Sequence, residues 1–172
     1  MKLSFTSQKI DKIPSEIVVL MLYENDIPFK GILGVLDWRI NGRLSEFFKR
    51  EKFRGKAKEL LLIPSESRFK SQEMLVMGLG KKELFEKDHI SQVLDYFLDT
   101  IEKKKMKQVC FSLSQLFESH FDWRNAVRLL LSKLVDCDSI EEVVLCEPEE
   151  LINEARRRQI QFGPNIEVVY HG

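Results

Sequence analysis

At 172 residues, with 44% hydrophobic and 31% charged side chains, the chain has the make-up of a soluble globular protein and enough length to bury a sizeable core in a single domain, 1–172. Lys plus Arg and Asp plus Glu both total 27, so the formal net charge is zero; no global field favours nucleic acid, and none favours an anionic membrane. No apolar run reaches the roughly 18 residues of a membrane span, the opening Met1–Ser7 lacks the apolar stretch of a signal peptide, and three widely spaced cysteines fit a reducing cytoplasm.

The first predicted element is Ile17–Tyr23, continuously apolar, rich in β-formers and too short for a typical helix; it reads as a strand covered on both faces. Asn25-Asp26, Pro28 and Gly31 mark a loop. Leu36, Ile40, Leu44, Phe47 and Phe48 then have the spacing of one helix face, weakened in its middle by Asn41-Gly42. Glu59–Ile63 and Glu73–Met77 read as two buried strands joined by a polar, hairpin-like loop, Pro64 to Ser71. Ile90, Val93, Leu94, Phe97, Leu98 and Ile101 predict the clearest helix, with Asp88 as N-cap and Lys103-Lys104-Lys105 at its end. Val109–Leu113 is the next strand. Asp122 is placed to cap a helix whose inner face is Trp123, Val127, Leu130, Leu131 and Leu134. Glu142–Cys146 is a strand, Pro148 opens a helix closed by Arg156-Arg157-Arg158, Gly163-Pro164 stops it, and Ile166–Tyr170 is a last strand. This alternation predicts the α/β class: a three-layer α/β/α sandwich with a mixed, mostly parallel sheet.

Two glycine segments are candidate ligand-binding loops. In one, Gly78-Leu79-Gly80-Lys81 follows a strand and precedes a helix, where exposed N–H groups can hold phosphate; Glu83 breaks the three-glycine dinucleotide pattern, and a tight turn is the favoured reading. In the other, Gly31, Gly34 and Asp37 either line a loop or start a helix with Asp37 in its first turn, and the helix start is favoured. Basic clusters at Lys49–Lys58, Lys103–Lys107 and Arg156–Arg158 read as solvated faces rather than a nucleic-acid surface. His89, His120 and His171 are isolated, so no metal site and no cofactor is expected, and surface or capping roles are assigned to all three. Cys110 and Cys146 lie inside apolar strands, where Cys behaves as a small hydrophobe.

Three motifs carry a family resemblance: Gly34, Leu36 and Asp37; then Phe53, Gly55, Lys56 and Glu59; then Gly78, Leu79, Gly80 and Lys81. In this order they resemble the amino-terminal domain of the leucyl (cytosol) aminopeptidase family, whose fold is similar to that of macro domains. Lys58 stands where that family usually has glycine. The family's two-metal chemistry belongs to a carboxy-terminal domain with the run Asn-Thr-Asp-Ala-Glu-Gly-Arg, which this sequence does not contain. The resemblance therefore implies a non-catalytic binding or assembly module, with itself or a separate peptidase subunit as partner. The alternative it implies is a macro-like domain for ADP-ribose or a related nucleotide.

Overall fold

Where the hydrophobic period changes along the sequence, the elements change with it. The computed structural model describes residues 1–24, 26–114, 122–157 and 165–171. In chain order they form strands β1 (Lys2–Thr6) and β2 (Ile17–Leu22), helices α1 (Gly31–Arg39) and α2 (Arg43–Lys49), and strands β3 (Leu60–Pro64) and β4 (Glu73–Gly78). Helix α3 (Lys87–Lys104), strand β5 (Gln108–Phe111), helix α4 (Trp123–Leu134), strand β6 (Glu142–Cys146), helix α5 (Glu149–Arg157) and strand β7 (Glu167–His171) follow. They gather into two units, Ile10–Phe85 and Met1–Lys9 with Glu86–Gly172.

In the unit Ile10–Phe85, β4 lies between β2 and β3. It runs parallel to β2, with Leu20 opposite Val76, and antiparallel to β3, with Leu62 opposite Leu75. The hairpin expected at 59–77 is present, but β3 is not buried as expected: it is an edge strand whose Leu60 and Leu62 are exposed. The single helix face expected over 36–48 is two helices instead. Asn41 and Gly42 both take left-handed backbone (φ +58° and +73°), which ends α1 and starts α2 at a new angle. Phe48 sits between Phe29 and Phe53, with ring centroids 5.0 and 5.5 Å away in edge-on contact.

In the other unit the strand order is β5-β6-β1-β7 and every pairing is parallel. Strand β1 was not among the expected elements. Its Leu3 and Phe5 are fully buried, and Phe5 stacks on Tyr170 of β7 and meets Trp123 of α4 edge-on. Helix α3 buries Ile90, Leu94, Phe97, Leu98 and Ile101, the stripe that its period predicts, and Phe97 packs on Phe111 of β5. Its N-cap is Glu86 rather than Asp88: the Glu86 N–H donates to His89 Nδ1 at 2.8 Å, which gives His89 the capping role expected of it. The Asp122 cap on α4 is present, its carboxylate accepting from Arg124 N at 3.1 Å. Asn25, His120, Arg158, Gly163 and Pro164 lie outside the described residues.

Candidate functional site

The glycines of the second and third motifs meet inside one unit, and they meet backbone to backbone. Gly55 (φ +78°) and Gly80 (φ +81°) both adopt conformations that L side chains rarely take. The Gly80 N–H donates to Gly55 O at 2.9 Å, the Lys58 N–H donates to Gly78 O at 3.1 Å, and Leu79 N bonds Leu22 O at 2.9 Å. A Cβ on Gly78 would stand 2.1 Å from Lys56 O and 2.6 Å from Gly55 C; one on Gly55 would stand 2.7 Å from Tyr23 O. The Glu59 carboxylate fixes the segment by accepting from Arg54 N (2.8 Å) and Lys56 N (3.1 Å). The run Arg54–Ala57 thus lies against the turn Gly78–Gly80, with Ala57 Cβ 3.2 Å from where a side chain on Gly80 would begin. Lys81 follows with its side chain exposed. Lys58, the departure from the family pattern, has φ +66°, so the position calls for the conformation that glycine takes freely.

The other candidate loop is helical. Gly31 begins α1 with φ +56°, and Gly34 lies one turn on, where a Cβ would be 2.8 Å from Phe29 O. Asp37 is in the last half of α1, not its first turn. Its carboxylate is buried and turned to the next helix: Oδ1 accepts from Leu44 N (2.9 Å) and Ser45 N (3.1 Å), and Oδ2 from Ser45 Oγ. Gly42, the N-cap of α2, has no side chain to satisfy those donors, so Asp37 supplies the cap from a turn away.

A third constellation escaped sequence reasoning. Glu147 directly follows β6 and is 3% exposed. Its carboxylate accepts from Leu113 N at 2.6 Å and Ser114 N at 3.2 Å, and its own N–H donates to Thr6 O at 3.0 Å. Burial pushes its pKa up, against the hydrogen bonds from Ser114 and Leu113 and the nearby indole N–H of Trp123, which pull it down. The signal in the sequence was a charged residue closing an apolar strand, Glu142–Cys146, immediately before Pro148.

Among the described residues no group of three or more His, Cys, Asp or Glu is arranged to hold a metal ion. The Cys110 and Cys146 thiols are free and buried, 3.4 Å apart across β5 and β6; hydrogen bonding between them and burial push the Cys110 thiol up, which keeps it protonated. Cations of the basic clusters pair with local carboxylates: Arg50 with Glu46, Arg54 with Glu51, Lys103 with Asp99 and Lys107 with Glu141. No described helix is long and apolar enough to cross a membrane.

The family model described as "Cytosol aminopeptidase family, N-terminal domain" matches residues 19–134. A probable cytosol aminopeptidase of Sulfurihydrogenibium sp. (strain YO3AOP1) is 25% identical over 121 residues, 70% of this chain and 24% of its own length. One from Alkaliphilus oremlandii (strain OhILAs) is 27% identical over 181 residues, 96% of this chain and 36% of its own length. The chain therefore spans between a quarter and about a third of these relatives. Among solved structures, the macrodomain of Mycobacterium tuberculosis DarG has a TM-score of 0.67 at 14% identity, covering 85% of this chain and 98% of its own. A tomato leucine aminopeptidase mutant scores 0.65 at 14% identity, with 87% and 34% covered. The Trypanosoma brucei macrodomain in complex with ADP-ribose scores 0.67 at 12% identity, with 91% and 68% covered. These likenesses show the fold class, three-layer α/β/α with a mixed, mostly parallel sheet. With more than half its residues under the family model, the chain belongs to the cytosol aminopeptidase family through its N-terminal domain.

Proposed function

We propose that this chain is a non-catalytic, cytoplasmic assembly module, one domain over 1–172, that docks on a peptidase subunit or on a second copy of itself. The observation that carries this reading is helix α1. It is apolar on its outward side as well as its inward one: Leu36 is buried, while Val35 and Trp38 point out, with Trp38 76% exposed. A helix hydrophobic on both faces wants a second covering surface. The family match supports the reading because it lies wholly within the N-terminal domain. Size-exclusion chromatography with light scattering tests it, on the chain alone and mixed with a cytosol aminopeptidase. The expected result is a mass above that of the 20.2 kDa monomer in one of the two samples, lost in Trp38→Ser. A monomer under both conditions overturns it.

A second reading, a domain that binds ADP-ribose or a related nucleotide, is favoured by the likeness to the T. brucei macrodomain in complex with ADP-ribose. Of its candidate residues Gly31, Gly34, Asp37, Gly78, Gly80 and Lys81, the close packing of Arg54–Ala57 weighs against it at Gly78 and Gly80, and the bonds from Leu44 and Ser45 weigh against it at Asp37. Calorimetry decides: absence of heat at millimolar ADP-ribose removes this reading.

A further inference from the structure

We infer that the successive backbone N–H groups of Leu113 and Ser114 form an oxyanion site, and that the Glu147 carboxylate is its built-in occupant, keeping free phosphate and carboxylates out. The inference is independent of the assembly reading above. It starts from where these groups lie. Strands β5, β6 and β1 are mutually parallel neighbours, and Leu113, Glu147 and Thr6 stand at or just past their carboxyl ends. Ligands of open α/β sheets bind beyond such ends. There Glu147 Oε1 takes the Leu113 N–H at 2.6 Å and the Ser114 N–H at 3.4 Å, while Oε2 takes the Ser114 N–H at 3.2 Å.

Two consecutive amides converging on one carboxylate form the kind of backbone concavity that binds anions generally. The rest of the setting belongs to an anion site too. No Lys or Arg pairs with Glu147 among the described residues, so uncharged donors, the two amides foremost, offset its desolvation. The indole Nε1 of Trp123, the first residue of α4, is buried with no hydrogen-bond partner, yet lies near enough to favour the charged form of Glu147. It is a spare donor beside the same carboxylate. Without Glu147 these donors would all be orphaned in a buried place, which costs more than a neutral change of side chain would. The concavity is therefore held ready, and its chemistry accepts any small oxyanion.

The test removes the occupant and offers a replacement. Amide NMR spectra of wild type, Glu147→Ala and Glu147→Gln are titrated with inorganic phosphate and, separately, acetate. In Glu147→Ala the Leu113 and Ser114 amides should shift saturably with at least one of them, at least about tenfold more tightly than in wild type, the ratio one charge-assisted hydrogen bond sustains. Wild type and Glu147→Gln should show no saturable shift there. A folded Glu147→Ala whose amides ignore both anions overturns the inference, and so does a wild type that titrates like it. Should Glu147→Ala fail to fold, wild type alone still decides. The Leu113 amide proton and the Glu147 carboxyl carbon must move together in a pH titration, and independent midpoints refute the contact.

Discussion

Gly78 shows how a motif that looks like a ligand cradle becomes a packing contact. Its missing side chain leaves room for Lys56 O and Gly55 C, atoms of a backbone that cannot swing aside. Gly78→Ala should therefore lose about 3 kcal/mol or more, the upper end of overpacking costs, read as a fall in the urea midpoint with unchanged slope. A loss below about 1 kcal/mol would mean that the Arg54–Ala57 segment yields easily. Glu147 illustrates the opposite problem, an ionisable group taken almost wholly out of solvent. Its pKa stands above its ordinary value of 4.5, so the folded state holds the proton more tightly than the unfolded one. That stabilisation is complete below pH 4.5 and is lost as pH rises through the folded-state value. The stability of wild type relative to Glu147→Gln should accordingly fall as pH rises above 4.5 and level off once pH has passed the folded-state value. A difference that is flat or rises across that range contradicts it.

Elements differ in how openly their sequences announce them. Helix α3 was legible because Ile90 to Ile101 keep a strict period and all the large apolar members but Val93 are fully buried. Helix α4 was legible through Asp122, a short side chain placed to reach a free N–H. Helices α1 and α2 were legible only in sum: the spacing from Leu36 to Phe48 survives a break because Asn41 and Gly42 turn the chain and hand the apolar face on. What the spacing could not show is that Asp37, a contact seven and eight residues ahead, caps α2. Asp37→Ala should cost about 1–2 kcal/mol, the worth of a helix cap, and Asp37→Asn less, since both backbone N–H groups share Oδ1 and an amide oxygen there still accepts them. Equal losses in both variants, measured by thermal unfolding, would point to a role for the charge instead. Strand β1 was missed for a different reason. Lys2-Leu3-Ser4-Phe5-Thr6 alternates polar and apolar residues over only five positions, and Ser4 and Thr6 are buried too, Ser4 donating to Glu142 at 2.9 Å. Only partners far along the chain make it a strand.

Across the molecule, the fold class followed from alternating strand and helix patterns, and the family likeness followed from glycines that pack backbone to backbone at Gly55, Gly78 and Gly80. The Glu147 arrangement could not be read that way, because its donors are peptide groups, which carry no sequence signature. The place of β1 between β6 and β7 also dictates an order of events during synthesis. Residues Ile10–Phe85 contain β2, β4 and β3, so the β2–β4 and β3–β4 pairings can form as soon as that stretch leaves the ribosome. Lys2–Thr6 is made well before Glu142–Cys146 and Glu167–His171, and must wait for both before its two edges are covered. Nascent chains stalled short of those residues carry β1 as an unpaired strand, and it is at this stage that a holding chaperone has most to do.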